Sequence, residues 1–302
     1  MPKAGQALAK WLSMASAFES ATDLVHHTHQ VRSGDVTLHV QSLQRPGEAA
    51  GGILLLSEAE APSSRWPSGL LIGLARRVGR CIWFDTRDVG ASTWTEEPYS
   101  LNDLVVDARA VIDALALGAV DVLGRSMGGE IAMRLALEHP RSVRSLLLLS
   151  TTPGRREELG LPAEWLIEKM SNRLLSGAPV EAGDRARWLV DQWEWFSGPV
   201  FPFDREAALV RAHDEISAGW RGPNGHGAAV MEADDIVDDL RTLRVPTSIV
   251  HGTADPVFPL EHCRALHLLI ENSTLTLIEG LGHELPDTFV DQLVELASRM
   301  AE

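Results

Sequence analysis

The sequence predicts an α/β fold: a mostly parallel, eight-stranded sheet with helices on both faces and an inserted helical cap. Short apolar runs, such as residues 53–56 and 120–123, alternate with stretches of helical periodicity. This alternation is typical of a parallel sheet that is covered on both sides. The alternation is interrupted once, by the long helix-rich segment at residues 153–236, and then resumes. We therefore expect one core with a cap inserted into it.

The chain begins its sheet with a hairpin. The segment "HTHQVRSGDVTLHVQSL" contains two alternating runs that Ser33, Gly34 and Asp35 join, which is a hairpin pattern. Further strands are predicted at 53–56, 81–84, 120–123, 143–150, 246–251 and 274–279, and helices near 68–77, 101–117, 127–139 and 261–270, with a last helix from about Pro286. In the loop after the strand at 81–84, Asp85, Arg87 and Asp88 are expected to act as bracing polar residues.

Three regions follow from this pattern. Residues 1–24 form an N-terminal helical extension, residues 25–152 and 237–302 form the core, and residues 153–236 form the cap. The cap carries five of the nine tryptophans.

The composition of the chain excludes several classes of function. The 302 residues carry a net charge of −15, so the chain has no electrostatic attraction to nucleic acid or to anionic membranes. No apolar run approaches the roughly 20 residues of a membrane helix. Cys81 and Cys263, the two cysteines, are expected to be buried thiols in a reducing compartment. We expect a cytoplasmic monomer or homodimer that acts on a small molecule.

A turn between a strand and a helix carries the clearest chemical signal. In "VLGRSMGGE", Ser126 stands between Gly124 and Gly128, which is the nucleophile-elbow pattern. The turn is so sharp that side chains at the two glycine positions would collide. The serine hydroxyl would then lie at a helix N-terminus, where free N–H groups favour developing negative charge.

A serine nucleophile needs a base and an acid. His283 lies in the glycine-rich "GLGHELP" after the last strand, and Asp255 lies in "HGTADPVFP", directly after the preceding strand. Because all three residues follow strands of one parallel sheet, they should meet at one edge. The sequence thus predicts a triad of Ser126, His283 and Asp255.

The order of these residues along the chain is that of the α/β-hydrolases. The chain resembles that superfamily over nearly its whole length beyond residue 25, through "GRSMGG", "FDTRDVGAS", "HGTADPVFP" and "GLGHELP". Within it, "RWPSGLLIGLARRVGRCIWFDTRDVGAST" and "PVFPFDRE" are most similar to methylesterase-type enzymes that tailor aromatic polyketides such as anthracyclines. The resemblance implies ester hydrolysis on a bulky apolar substrate, in secondary metabolism.

The resemblance also implies an oxyanion hole. One N–H donor should be Met127, after the nucleophile, and the other should come from the loop after the third strand, at about Ala59. Related enzymes usually carry His-Gly or Gly-Gly there, whereas this chain has Ser57, Glu58 and Ala59. An ionised glutamate that points inward would repel the oxyanion by about 4 kcal/mol at a few ångströms. We expect Glu58 and Glu60 to point to solvent.

Glu58 leaves other functions open. A glutamate that points inward is either kept protonated or means that the reaction is not ordinary acyl transfer. The alternatives are a cofactor-free lyase, cyclase or carbon–carbon bond hydrolase on a polyketide-like substrate, in which His283 and Glu58 transfer protons, and a slow-turnover ligand-binding member of the fold. The predicted substrate contacts are Glu58 and aromatic residues of the cap, because aromatic rings offer large flat surfaces to an apolar ligand. These aromatic residues are Trp193, Trp195, Phe196, Phe201 and Phe203.

No cofactor or metal is predicted. The sequence contains no dinucleotide or flavin fingerprint, and "GEAAGG" lacks the lysine of a phosphate loop. In "HHTH", His27 and His29 share a strand face but have no carboxylate or cysteine partner.

Overall fold

The computed structural model describes Phe18, residues 21–48 and residues 50–301. Within this part of the chain, eight strands form one sheet in the order β1-β2-β4-β3-β5-β6-β7-β8. The strands are β1 (Val25–Ser33), β2 (Val36–Gln44), β3 (Ile53–Leu56), β4 (Arg80–Phe84), β5 (Val120–Arg125), β6 (Val143–Leu149), β7 (Thr247–Gly252) and β8 (Ser273–Ile278). All neighbours from β4 to β8 are parallel, which confirms the predicted α/β class.

The predicted hairpin is also confirmed. Strands β1 and β2 are antiparallel with Ser33 opposite Val36. Gly34 adopts a φ of 57° in the turn, a conformation that glycine reaches without steric cost. Strand β2 then pairs with β4, also antiparallel, so the hairpin extends the parallel sheet at one edge.

Helices cover both faces of the sheet. They are α1 (Ser68–Val78), α2 (Leu101–Ala114), α3 (Met127–Glu138), α4 (Glu164–Ser176), α5 (Ala182–Trp195), α6 (Arg205–Ser217), α7 (His226–Met231), α8 (Leu260–Leu269) and α9 (Val290–Ser298). Strand β3 is continuously apolar because both of its faces are buried. Leu54 and Leu56 belong to one buried cluster, while Ile53 and Leu55 belong to the cluster on the opposite face. Each such side chain contributes roughly 1.5–3 kcal/mol by burial.

The segment between β6 and β7 contains α4 to α7. It has an apolar cluster of its own, formed by Ala186, Leu189, Val190, Trp193, Ala208 and Ala212 from α5 and α6. This agrees with a separate layer of helices, and we call residues 153–236 the cap. Its limits, and those of the core, stay predictions. The predicted N-terminal extension (1–24) lies mostly outside the described residues.

The loop after β4 is braced by its charged residues, as predicted. Asp85 accepts hydrogen bonds from the backbone N–H of Ser63 at 2.7 Å and of Ala91 at 2.8 Å. Arg87 forms two hydrogen bonds of 2.8 Å with the fully buried Asp107. The contact with Ser63 holds the loops after β3 and β4 together, and the pair with Asp107 holds the loop after β4 on α2. None of the described helices is long and apolar enough to cross a membrane.

Candidate active site

Ser126 lies in the sharp turn between β5 and α3. Its backbone has a φ of 53° and a ψ of −120°, and a positive φ is uncommon for a residue other than glycine. The Ser126 N–H donates to the Leu149 carbonyl at 3.0 Å, and the Thr151 hydroxyl donates to the Ser126 carbonyl at 2.7 Å. The end of β6 and the residue Thr151 after it therefore hold the strained conformation, as expected at a functional site.

Two glycines allow this turn. A Cβ atom on Gly124 would lie 2.4 Å from the Gly128 carbonyl oxygen, and a Cβ atom on Gly128 would lie 2.0 Å from the Leu56 carbonyl oxygen. Both distances are far below van der Waals contact. The glycines thus bring α3 against β5 and against the end of β3, which places the turn at Ser126 beside the loop after β3.

His283 lies between Ser126 and Asp255 and forms a hydrogen bond with each. Its Nδ1 is 2.8 Å from Asp255 Oδ2, and its Nε2 is 3.1 Å from Ser126 Oγ. An ionised carboxylate only accepts hydrogen bonds, so Nδ1 carries the ring proton and Nε2 accepts the bond from the Ser126 hydroxyl. The structure thus brings together the three residues predicted as a triad, in an arrangement that can deprotonate a serine hydroxyl.

Asp255 is held for this position by its own loop. Its Oδ1 accepts hydrogen bonds from the backbone N–H groups of Val257 at 2.8 Å and Phe258 at 3.0 Å. Burial alone would raise the pKa of the Asp255 carboxyl, but the charge and hydrogen bond of His283, together with backbone N–H groups, hold that pKa below its usual value. Asp255 therefore stays ionised and can orient the imidazole.

The cap contacts the loop that carries His283. The backbone N–H of His283 donates to the Phe196 carbonyl at 2.7 Å, and the Phe196 ring meets the imidazole edge-on at 5.7 Å between centroids. Phe258 meets it from another side at 5.5 Å. A Cβ atom on Gly282 would lie 2.3 Å from the Phe196 carbonyl oxygen. The glycines of "GLGHE" thus let the end of α5 pack closely against His283.

The two backbone N–H groups predicted to hold an oxyanion are those of Met127 and Ala59. Met127 is the first residue of α3, and Ala59 is in the loop after β3. Within the described part of the chain, neither N–H donates to a protein acceptor. Unpaired donors at a helix N-terminus and in a neighbouring loop are the elements of an oxyanion hole.

The expectation that Glu58 points to solvent is wrong. Its side chain is 12% exposed, and its Oε1 lies 2.8 Å from the guanidinium of Arg125 and 3.6 Å from that of Arg65. Burial would raise the pKa of the Glu58 carboxyl, but the two arginine charges outweigh this effect and hold the pKa below its usual value. Glu58 is therefore an ionised, largely buried residue whose charge is offset by arginine.

Glu60 is also only partly exposed. Burial raises the pKa of its carboxyl, although the charge of Arg65 opposes the shift. The two glutamates therefore differ in the direction of their pKa shift. Within the described residues, no arginine side chain lies within hydrogen-bonding distance of Glu60.

Arg125 connects Glu58 to the loop of His283. It donates to the His283 carbonyl at 3.0 Å and lies 3.3 Å from Glu284 Oε2. Arg65 extends the same set of charges into the cap, through two hydrogen bonds of 3.2 and 2.9 Å to Glu215. We call Arg65, Arg125, Glu58, Glu215 and Glu284 the ionic network. It joins the elbow, the loop after β3, the His283 loop and the cap.

The predicted aromatic contacts lie in different places. Phe196 contacts His283, as described above. The other four pack elsewhere: Trp193 in the apolar cluster of the cap, Trp195 beneath the Lys169 ammonium, Phe201 against Phe289, and Phe203 beside the cap cluster. Their role as substrate contacts stays a prediction.

A cavity of about 290 Å³ lies where the cap meets the hairpin and the loops after β3 and β4. Its apolar wall includes Phe18, Pro62, Val89, Trp94, Ala218 and Trp220, and Glu60 and Glu215 are among its polar residues. The aromatic wall therefore comes largely from outside residues 193–203. The lining does not include Ser126, His283 or Ala59, and Glu60, the residue after Ala59, is its nearest member along the chain to the proposed oxyanion donor.

Sequence reasoning missed the roles of Arg65, Arg125 and His226. For Arg125 a signal existed: a charged residue between a buried strand and the elbow requires a buried partner, and two glutamates follow the neighbouring strand. His226, whose contacts are described below, gave no such signal. Among the described residues, no group of three or more His, Cys, Asp or Glu side chains is arranged to hold a metal ion.

Known proteins resemble the chain in sequence over most of its length. The chain is 27% identical over 283 residues to rhodomycin D methylesterase DauP of Streptomyces sp. (strain C5), covering 86% of this chain and 93% of that protein. It is 30% identical over 236 residues to a non-heme haloperoxidase of Rhodococcus erythropolis, covering 73% and 81%.

Structural comparison shows the same fold. The crystal structure of the esterase RhEst1 from Rhodococcus sp. ECU1013 superimposes with a TM-score of 0.73 at 21% identity, over 90% of this chain and 99% of that one. The family model described as serine aminopeptidase, S33, matches residues 74–287, which is more than half of the chain. The chain therefore belongs to this family of α/β-hydrolases.

Proposed function

We propose that the chain is a serine hydrolase that cleaves an ester of a bulky apolar or aromatic small molecule through an acyl-enzyme. The observation that carries this proposal is the continuous set of hydrogen bonds from Asp255 through His283 to Ser126, with distances of 2.8 and 3.1 Å. A hydroxyl next to an oriented imidazole is the arrangement that nucleophilic catalysis requires.

In the proposed mechanism, His283 Nε2 takes the proton of the Ser126 hydroxyl as Oγ attacks the ester carbonyl. The tetrahedral intermediate collapses when the imidazolium returns this proton to the leaving alkoxide, which departs as the alcohol. A water molecule then attacks the acyl-enzyme, again with His283 as the base, and releases the carboxylic acid and Ser126. Asp255 stabilises the imidazolium in both steps.

The N–H groups of Met127 and Ala59 would hold the negative oxygen of each tetrahedral intermediate. Glu58 does not oppose this role in the way that an isolated carboxylate would. Its nearest charged partner is Arg125 at 2.8 Å, so an oxyanion nearby meets an ion pair rather than a single negative charge. This supports ordinary acyl transfer in spite of two glutamates in the loop.

The cavity and the relatives support an apolar substrate. A space of about 290 Å³ with tryptophan and phenylalanine in its walls suits a ring system. A relative over most of the chain is named a rhodomycin D methylesterase, and we propose a methyl ester or a lactone as the scissile group. We also propose a role in secondary metabolism, a cytoplasmic location and a monomeric or homodimeric state.

Hydrolysis of a series of esters tests the proposal. We expect measurable turnover of p-nitrophenyl acetate, and a higher kcat/KM for methyl esters of polycyclic aromatic acids than for methyl esters of short aliphatic acids. Ser126→Ala should abolish turnover of both, and the circular dichroism spectrum should show that it folds. Turnover that survives in folded Ser126→Ala would contradict a serine mechanism.

Glu58 does not favour the lyase, cyclase or carbon–carbon hydrolase alternative. In that alternative Glu58 would assist His283 in proton transfer, but a carboxylate with a lowered pKa between two arginines is a poor proton donor. The slow-turnover ligand-binding alternative would show tight stoichiometric binding of an aromatic ester without product formation.

A further inference from the structure

The loop after β3 contains an unusual backbone conformation next to the proposed oxyanion donor. Residues Glu58 to Ala61 form a turn in which the Ala61 N–H approaches the Glu58 carbonyl at 3.4 Å. Glu60, at the third position, has a φ of 62°. This position of a turn with positive φ ordinarily takes glycine or asparagine. A glutamate in this conformation needs an external contact to hold it there.

The cap provides such a contact. His226 is the first residue of α7 and is fully buried. Its Nδ1 accepts a hydrogen bond from the backbone N–H of Glu60 at 2.8 Å, across 166 residues of sequence. The loop from Ser57 to Ser68 contains no glycine. A hydrogen bond from a distant helix therefore holds a conformation that a glycine would adopt by itself.

The other side of the imidazole fixes its tautomer. His226 Nε2 lies 2.9 Å from the Arg87 carbonyl oxygen, which can only accept. Nε2 therefore carries the proton, and Nδ1 has the free lone pair that the Glu60 N–H needs. The Tyr99 ring packs edge-on against the imidazole, at 6.1 Å between centroids. The backbone N–H of His226 donates to Asn224 Oδ1 at 3.0 Å.

Ala59 thus lies between two residues that are anchored by different means. On one side, the Glu58 side chain is held by Arg125 at 2.8 Å. On the other side, the Glu60 backbone is held by His226. The Ala59 N–H lies in one peptide plane with the Glu58 carbonyl, and the next plane, which carries the Glu60 N–H, shares the Ala59 Cα atom with it. Holding the Glu60 N–H and the Glu58 residue therefore restricts the direction of the Ala59 N–H between them.

We propose that His226 is a positioning residue, which holds the turn at Glu60 so that the Ala59 N–H points at the reacting carbonyl oxygen. This inference rests on the proposed esterase function, because it says which residue sets the direction of an N–H group that would bind the oxyanion. The cap would then help to shape the oxyanion hole of the core. A substitution of His226 is therefore expected to affect kcat rather than substrate affinity.

Two substitutions separate the two hydrogen bonds of the ring. His226→Asn keeps an acceptor near the position of Nδ1 and loses the donor to Arg87. His226→Gln keeps a donor near the position of Nε2 and loses the acceptor for Glu60. With p-nitrophenyl acetate, we expect His226→Gln to lower kcat by about 10- to 100-fold at unchanged KM, because a small misplacement of a catalytic group can cost up to about 100-fold. His226→Asn should retain kcat within about threefold.

A second variant tests the cause of the loss. Glycine adopts positive φ readily, so Glu60→Gly should restore most of the kcat of His226→Gln. Thermal melting of each variant provides the control, since a purely structural role would lower the melting temperature and leave kcat at 25 °C unchanged in the folded protein. Amide exchange of a peptide that covers the Glu60 N–H should be faster in His226→Gln than in the wild type.

Three results would overturn the positioning role: equal kcat values for His226→Asn and His226→Gln, a change in KM alone, or no recovery of kcat with Glu60→Gly. Any of these in a protein that hydrolyses esters through Ser126 would leave the proposed function intact. Absence of ester hydrolysis by the wild type would instead overturn the proposed function, and the positioning role with it.

Discussion

The nucleophile elbow and the loop after β3 reach their backbone geometry by different means. At the elbow, Gly124 and Gly128 remove the side chains that would prevent the close packing of α3 on β5 and β3. In the loop, the geometry depends on partners far away in the sequence: Arg125 for the Glu58 side chain and His226 for the Glu60 backbone. One half of the proposed oxyanion hole is thus built from local sequence, and the other half from tertiary contacts.

This difference has a consequence for mutation. A change in the elbow should act through steric overlap and affect folding and activity together. A change in the partners of the loop should leave the sheet intact and act mainly on the site. The predictions below test this contrast, from the largest expected effect to the smallest.

Asp255→Asn should lower kcat by about 10⁴-fold, because an amide no longer selects the imidazole tautomer that leaves Nε2 free to accept the serine proton. Steady-state hydrolysis of p-nitrophenyl acetate measures the effect. The substitution is nearly isosteric, so circular dichroism should show a folded protein. A loss below tenfold would mean that Asp255 does not orient His283.

Gly128→Ala should destabilise the fold by at least about 4 kcal/mol, because the new methyl group would lie 2.0 Å from the Leu56 carbonyl oxygen. Urea denaturation, or loss of soluble protein, measures the effect. Gly183→Ala is the matched control, since the nearest atom to its Cβ position, on the flexible Arg187 side chain, is 3.9 Å away. This change in helix α5 should be neutral or stabilising by up to about 1 kcal/mol.

Glu58→Gln should lower the free energy of unfolding by about 3 kcal/mol, because it leaves the buried Arg125 guanidinium without its nearest negative partner. Urea denaturation at pH 7 is the measurement. Glu48→Gln removes an exposed partner of Arg45 and should change stability by less than about 0.5 kcal/mol. Equal effects of the two substitutions would show that the ionic network contributes no more than a surface pair.

The stability of the wild type should fall in mild acid because of His226. Burial lowers the pKa of its imidazole from 6.5 to about 4, with Arg87 and Asp88 as the nearby charges. The unfolded state therefore binds a proton that the folded state does not, and stability is lost as the pH falls through 6.5, levelling off below about 4. The loss through this group is about 2 kcal/mol between pH 8 and pH 5.

His226→Asn lacks this titration and serves as the comparison. The difference in unfolding free energy between wild type and variant should shrink by about 2 kcal/mol from pH 8 to pH 5. Because both proteins share all other titrating groups, these largely cancel. A difference that is independent of pH would show that His226 is not held in its neutral form.

The sequence was sufficient for the features that depend on local pattern. The hairpin strands could be predicted from their alternating pattern and the later strands from their short apolar runs. Ser126, Asp255 and His283 could be brought together because each follows a strand of one parallel sheet. Gly124 and Gly128 marked the elbow because larger residues would collide there. The structure gives a different collision from the predicted one: a Cβ atom on Gly124 would meet the Gly128 carbonyl oxygen, and a Cβ atom on Gly128 would meet the Leu56 carbonyl oxygen.

The remaining features depend on contacts that no local pattern encodes. The direction of Glu58 was predicted wrongly because a glutamate after a strand is ordinarily solvated, and its partner Arg125 stands 67 residues away. His226 is one of several histidines, and nothing near it in sequence indicates that its ring meets the N–H of Glu60. The aromatic residues of the cap could not be divided between packing and cavity without the packing of the helices.

Covalent labelling of the nucleophile tests the central claim most directly. The wild type should react with a fluorophosphonate probe to give a single adduct by intact mass, and peptide mapping should place it on Ser126. Ser126→Ala should give no adduct, and His283→Ala should react far more slowly. An unlabelled wild type, or an adduct on another residue, would contradict the account of this site as a serine hydrolase.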